Sequence, residues 1–322
     1  MRSRKAEVVA RLAAADGGFV SGERIAHDLG MSRVAVRKHV EALRALGYAI
    51  ESANRRGYRL IAVPDEIVPT EVERLVTDPF WNRFEGAAVT QSTNDDCKRL
   101  ARAGMPEGAV VVAAEQTAGR GRLGRQWVSP SGGAYFSALL RPPIFPADAP
   151  PLALVCSLGI AVGLEAAGVP VMLKWPNDVY LGWRKVGGVL LEMAAEADRI
   201  QWVVAGCGIN VRRSPGLAPE AASLDEVTRM RPAEVAAVAL DGVAQAYREF
   251  LRAGFAGLLD EYERRHLLPG REVTVRDSAG AGLAHGEAMG VDGMGRLLVR
   301  TATGPVSVVA GEVTLASAGG GR

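Results

Sequence analysis

The sequence predicts an α+β chain built from more than one domain, and three observations carry that prediction. Its 322 residues exceed what one simple core organises and suit two or three domains. A basic N-terminal stretch has the spacing of small packed helices followed by a hairpin. Beyond it, buried-strand runs alternate with glycine-rich loops. Hydrophobic residues make up 48% and charged residues 23%, which argues for a folded globular protein and against disorder.

Net charge is +2, but it is unevenly spread. Residues 1–60 hold 12 Lys/Arg against 6 Asp/Glu, and the remainder hold 26 against 30. Only the N-terminal segment is therefore expected to meet a polyanion. Cys97, Cys156 and Cys207 show no C-x-x-C spacing, which excludes a disulfide framework or a zinc site and points to a reducing cytoplasm. The N-terminus is basic and has no apolar signal core. The longest apolar stretch, 152–164, falls short of the ~18 residues of a membrane span and reads as a buried helix, so no membrane partner is expected.

Three helical patterns fill residues 4–46. Val8, Val9 and Leu12 share a face; Ser21 caps a helix carrying Ile25 and Leu29; Gly30 ends it; Ser32 caps a third helix with Val36, Val40 and Leu43 inward. Arg33, Arg37, Lys38 and Arg44 lie on its other faces. Residues 50–60 alternate around Asn54-Arg55-Arg56-Gly57 and read as a hairpin. This order is that of a winged helix-turn-helix. Ser32, Arg33, Arg37 and Lys38 are expected at the major groove, with Arg55 and Arg56 at the wing tip on phosphates or in the minor groove. The alternative is a small helical domain with a solvated charged face. Residues 61–70, with Pro64 and Pro69, read as an extended linker.

Ser92-Thr93-Asn94 precede a helix through Leu100 and can cap it or offer an anion- or amide-binding N-terminus. The strand run 110–114 leads through Gln116 into Gly119-Arg120-Gly121-Arg122-Leu123-Gly124-Arg125. Three glycines and three arginines there make a cationic, backbone-exposing loop suited to phosphate. It lacks the ending of a Walker loop and the spacing of a Rossmann fingerprint, and a surface loop or nucleic-acid contact remains open. Trp127 and a strand at 135–140 follow. Lys174-Trp175-Pro176-Asn177-Asp178 is a turn after a buried strand. Lys185-Val186-Gly187-Gly188-Val189-Leu190-Leu191-Glu192 is a strand whose glycines suit close approach of a flat ligand, although Lys185 taken alone reads as a solvated hairpin lysine. A further strand, 200–205, ends in Gly206-Cys207-Gly208-Ile209-Asn210.

Taken together, these runs resemble the biotin–protein ligases, in the bifunctional form often called biotin operon repressor. Gly30-Met31-Ser32-Arg33, Lys38-His39 and Gly57-Tyr58 also match the repressor-type subgroup, so the resemblance covers essentially the whole chain. It implies three parts: a winged helix-turn-helix at 1–62, a mixed-sheet α/β catalytic domain of the biotin/lipoate ligase type at 63–270, and an SH3-like β-barrel at 271–322. Short strands at 272–275, 297–300 and 306–310 between glycine-rich turns fit the last.

The resemblance implies that ATP and biotin form biotinoyl-AMP and pyrophosphate, with Mg²⁺ balancing the triphosphate. A lysine of a biotin carboxyl carrier protein then takes the acyl group. Catalysis falls to Lys185, Arg122 and Asp178. Biotin would meet Ser92, Thr93, Asn94, Gln116, Gly119, Arg120, Arg122, Trp127, Lys185, Gly187 and Gly188. ATP and the adenylate would meet Arg120, Arg122, Arg125, Lys174, Asn177, Lys185 and Asn210. Operator DNA and a homodimer formed on adenylate binding are the further implied partners. Two departures stand out. The loop 211–222 lacks the Trp that some members pack on adenine, and Ala316 stands where an Arg can occur. A monofunctional ligase, a lipoate or other acyl-protein ligase, and a ligand-sensing transcription factor are the competing readings.

Overall fold

A computed structural model of the chain describes residues 2–315. Three helices, α1 (Arg4–Ala13), α2 (Gly22–Asp28) and α3 (Arg33–Ala45), precede a hairpin of β1 (Ala49–Ala53) and β2 (Gly57–Ala62). Each helix starts where a serine hydroxyl accepts a first-turn amide: Ser3 from Ala6, Ser21 from Arg24 and Ser32 from Ala35. Val8, Val9, Leu12, Ile25, Val36, Val40 and Leu43 are fully buried in a core belonging to this unit alone. Gly57 closes the wing at a φ of +101°, and a Cβ there would lie 2.1 Å from the Val20 carbonyl oxygen.

The segment after the wing is irregular over residues 63–68, as a linker would be, but it ends in a helix that the linker reading of 61–70 did not include. Pro69 opens a helix, α4 (Pro69–Leu75), because its fixed φ and missing N–H suit the first helical position. α4 packs on α1 and buries Glu71 completely. That carboxylate accepts from Tyr48 Oη at 3.0 Å and Arg74 Nη2 at 2.6 Å, and lies 3.4 Å from Arg231 Nη2. A buried charge needs such partners. Here they come from three places: the winged unit, α4 and the central body.

The central sheet holds β3 (Arg83–Thr90), β4 (Ala109–Gln116), β5 (Ala134–Leu140), β6 (Met172–Lys174), β7 (Asp178–Leu181), β8 (Arg184–Ala195) and β9 (Ile200–Ile209), in the order β3-β4-β5-β9-β8-β7-β6. The β3–β4 pair is parallel and the others antiparallel, a mixed sheet. α5 (Thr93–Arg102) covers one face through Cys97 and Ala101. The predicted buried helix, α6 (Leu152–Ala166), and the long α7 (Pro232–Ala253) cover the other. β9 does not stop at Ala205 but runs on through Gly206 and Gly208, paired on both sides by β5 and β8.

After α8 (Leu259–Glu263) come β10 (Glu272–Arg276), β11 (Gly282–Val291), β12 (Leu297–Thr301), β13 (Gly304–Val308) and β14 (Glu312–Leu315). They form an antiparallel sheet in the order β13-β12-β11-β10-β14, the SH3-like unit. Its core residues Val273, Val275, Leu297 and Val299 belong to the same apolar cluster as the central body, and Trp175 Nε1 donates to Gly295 O at 3.0 Å. Ala316 and the Gly319-Gly320-Gly321 tail lie outside the described residues. No helix of the described chain is long and apolar enough to cross a membrane.

Candidate functional site

A cleft of about 450 Å³ opens where α5, the 119–127 loop, β8, β9 and β14 meet. Its floor is a polar chain. Thr93 N and Oγ1 donate to Gln116 Oε1 at 2.9 and 3.1 Å, and Gln116 Nε2 donates to Ser129 Oγ at 2.9 Å. Ser137 Oγ donates to Asn94 Oδ1 at 2.6 Å, while Asn94 Nδ2 donates to Glu192 Oε2 at 2.7 Å. These contacts fix both amides in place at the lining of the cleft. Ser92 sits at the N-cap of α5 without capping it, and its side chain lines the cleft. A methyl group on Gly206 would stand 2.0 Å from Asn94 Oδ1, and one on Gly208 would stand 2.4 Å from Trp127 Nε1. Both glycines therefore serve side chains laid across the sheet, not a break in the strand.

The cationic loop is a tight turn. Arg120 and Gln126 bridge, Gly121 N donates to Arg125 O at 2.7 Å, and Leu123 holds a φ of +56°. Arg120 does not stand free. Its guanidinium spans Asp95 at 2.7 and 2.8 Å and Glu192 at 3.1 Å, while Lys98 meets the same two carboxylates at 2.8 and 2.6 Å. The hydrogen bond from Arg120 holds the Asp95 carboxyl well below its usual range. Burial opposes ionisation of Glu192, but its hydrogen bonds to Lys98, Asn94 and Arg120 outweigh that and lower it too. Arg122 reaches further in, donating to Asn177 Oδ1 and to Gly311 O, each at 3.2 Å. Burial lowers its pKa. Arg125 pairs with Glu312 at 2.6 Å. The C-terminal sheet thus supplies a wall of the cleft through Glu312 and Val313.

Opposite the loop, Lys185 Nζ pairs with Asp178 Oδ1 at 2.6 Å and lies 5.3 Å from the Trp127 ring centroid. The β7–β8 register sets Asp178 against Gly188, whose bare α-carbon leaves both side chains room. Lys174, half-buried over the Tyr180 ring, has its pKa lowered by desolvation. Cys207 also borders the cleft, yet burial pushes its thiol well above the ordinary value and removes it as a nucleophile.

Most residues singled out from the sequence meet here: Ser92, Thr93, Asn94, Gln116, Arg120, Arg122, Arg125, Trp127, Lys174, Asn177, Asp178, Lys185 and Gly188. Gly119, Gly187 and Asn210 do not line the cleft. Gly119 lets the loop pass the Trp127 carbonyl, where a Cβ would lie at 2.4 Å, and Gly187 packs beside Ile209. Asn210 was expected over the adenosine. Instead it ties the ends of the following loop, donating from Nδ2 to Ala222 O at 3.1 Å, and Glu220 is the loop residue that reaches the cleft. Asp95 and Lys98, a turn inside α5, and Glu192, at the end of a matching run, carry no local signal of a site role, because only the tertiary fold brings them together with Arg120.

On the winged unit, Ser32, Arg33, Arg37, Lys38, Arg55 and Arg56 are all exposed. Ser32 is committed as the α3 cap, and the Arg56 guanidinium lies 4.0 Å over the Phe19 ring. Arg44 is drawn into the wing, donating to Ile50 O and Ser52 Oγ.

Residues 86–210 match the biotin/lipoate A/B protein ligase family model, residues 4–59 an HTH domain, and residues 270–315 the biotin protein ligase C-terminal domain. The chain is 36% identical over 308 residues to the bifunctional ligase/repressor BirA of Bacillus subtilis, covering 92% of this chain and 94% of that one. It is 32% identical to the biotin–[acetyl-CoA-carboxylase] ligase of Paracoccus denitrificans, across 70% of this chain and 98% of that shorter one. The Aquifex aeolicus biotin protein ligase solved with biotin and ATP superposes with a TM-score of 0.62 at 32% identity, covering 72% of this chain and 97% of that one.

Proposed function

The chain belongs to the biotin protein ligase family, and from that premise we propose that its cleft joins biotin to AMP and passes the biotinoyl group to a lysine of a biotin carboxyl carrier protein. One observation carries this reading: the cleft concentrates Arg122, Lys174 and Lys185 around a hydrogen-bonding floor and offers no activated nucleophile of its own. A carboxylate attacking the α-phosphorus of ATP needs no protein nucleophile. It needs positive charge where the phosphorane charge gathers, and a dry place for the mixed anhydride. The working units are residues 1–62, 63–270 and 271–322.

Lys185 neutralises the α-phosphate as the P–O bond to pyrophosphate breaks. Arg122 and Arg125 exchange Gly311 O, Asn177 and Glu312 for phosphate oxygens. The Ser92-Thr93-Asn94 and Gln116 network holds the uncharged end of biotin. Asp178, released from Lys185, orients the acceptor amine and takes its proton as the C–N bond forms and AMP departs. Among the described residues no group of three or more His, Cys, Asp or Glu side chains is placed to hold a metal ion. Mg²⁺ would instead arrive on the triphosphate, as an ion that keeps its water and phosphate ligands.

Biotin-dependent ATP–pyrophosphate exchange tests the reading. Lys185→Ala should lose about 10²-fold or more in adenylate formation while still binding biotin. Pyrophosphate exchange indifferent to biotin, or undiminished in that variant, would overturn the assignment. The winged unit makes the ligase a biotin-responsive repressor as well. One winged helix covers one half-site, so repression proceeds through a two-fold pair formed on adenylate binding. Sedimentation unchanged by adenylate would refute the pairing.

A further inference from the structure

Only five of the 38 basic residues are lysine: Lys5, Lys38, Lys98, Lys174 and Lys185. The scarcity has a chemical meaning for a chain that makes an amine-acylating intermediate, because the guanidinium of arginine stays protonated and does not acylate. From residue 63 onward none of the three lysines is exposed. Lys98 is clamped between Asp95 and Glu192 with 16% of its side chain accessible, Lys185 is paired with Asp178, and Lys174 is a half-buried wall of the cleft. Lys5 is half-buried on α1. Lys38 alone among the five is exposed, and it stands on α3 beside Arg37, on the face set out for DNA.

We propose that Lys38 is the site of self-biotinylation by released biotinoyl-AMP, and that its modification weakens DNA binding. The inference rests on the ligase reading. The neutral Lys38 amine attacks the acyl carbon, an amide C–N bond forms, the C–O bond of the anhydride breaks, AMP leaves with the electron pair, and the amine proton goes to solvent. One positive charge disappears from the DNA-reading helix and a bulky acyl chain takes its place. Retention of the adenylate by the Arg120–Arg125 loop therefore protects the second activity as well as the first: a leaking cleft disables its own DNA-binding surface, while the amines of the catalytic body are clamped by carboxylates (Lys98, Lys185) or half-buried in the cleft wall (Lys174).

The full-length chain, mixed with chemically prepared biotinoyl-AMP and no acceptor, is digested and its five lysines quantified by mass spectrometry. Lys38 should carry most of the biotin. On a mixed-sequence duplex, the labelled chain should show a log K against log salt slope smaller by about 0.9, the loss of one phosphate contact. Lys38→Arg, which keeps the charge and removes the amine, should make DNA affinity indifferent to the reagent. Equal labelling at Lys98, Lys174 or Lys185, labelling led by Lys5, no labelling at all, or an unchanged slope overturns the proposal. Biotin-dependent pyrophosphate release, measured on unlabelled chain, reports separately on the ligase reading, since the supplied anhydride decides the lysine question without it.

Discussion

Replacing Gly206 by alanine sets one methyl group against the most constrained side chain of the cleft. Its Cβ would lie 2.0 Å from Asn94 Oδ1, so one of them must move by about 1 Å. Gly206 cannot, because β9 is paired on both sides there. Asn94 is 4% exposed, short, and held by Ser137 at 2.6 Å and Glu192 at 2.7 Å. Moving it breaks one neutral and one charge-assisted hydrogen bond, together about 2–4 kcal/mol when the partners stay buried, a size similar to ordinary overpacking. For a body of this size that is a fall in Tm of about 5–15 °C. The same displacement tilts the Ser92–Asn94 turn, so biotin affinity should drop by about tenfold or more, at least 1.4 kcal/mol. Differential scanning calorimetry and isothermal titration with biotin measure the two effects. Asn94→Ala provides the control, since it removes the colliding atom. On that background Gly206→Ala should cost about 1–2 kcal/mol less than alone. Strict additivity of the two substitutions, or a single variant melting within about 1 °C of the parent, would refute the steric argument.

Other consequences are as direct. Arg122→Gly removes the side chain that bridges Asn177 and the C-terminal strand. Adenylate formed by that variant should escape faster than it is transferred, and equal retention of biotinoyl-AMP by variant and parent would count against the loop as a lid. Burial pushes the Cys97 and Cys156 thiols up to about 12. They should resist iodoacetamide in the native chain at mild alkaline pH and react once it unfolds; and because the unfolded thiols lose their protons first, near the ordinary value of 9.0, stability should fall as pH rises from there toward about 12. Tyr48→Phe deletes a hydrogen bond to the buried Glu71 carboxylate. It should cost about 1.5–3 kcal/mol and expose residues 62–69 to limited proteolysis, with biotin binding unaltered; unchanged proteolysis would dismiss the joint.

How far the sequence foretold this arrangement depended on the range of the forces involved. Ser21 and Ser32 announce their helices because a cap acts within three residues, and Val36, Val40 and Leu43 reveal a face because helical spacing is local. Pro69 carries two signals: two prolines in ten residues read as extended chain, which holds for residues 63–68, yet Pro69 itself opens a helix. β11 is hidden in the sequence because Gly282, Gly286 and Gly290 interrupt its strand pattern, and β9 looks shorter than it is for the same reason at Gly206. The motif residues of the cleft were legible as types. Their company was not. Nothing local joins Arg120 to Glu192, or Arg125 to Glu312, and those pairings decide which cations are free to meet phosphate and which must first let go of a carboxylate.

The Tyr48–Glu71–Arg231 joint has a bearing on the geometry of any operator. A DNA-reading module hung on slack chain tolerates half-sites at many separations. Here, a buried carboxylate bolts the module to the start of α7, so in the pairing proposed above the two modules would stand at a separation set by the enzymatic bodies. Inserting a few base pairs between half-sites would put one of them on the wrong side of the double helix, and the protein has no spare tether with which to follow.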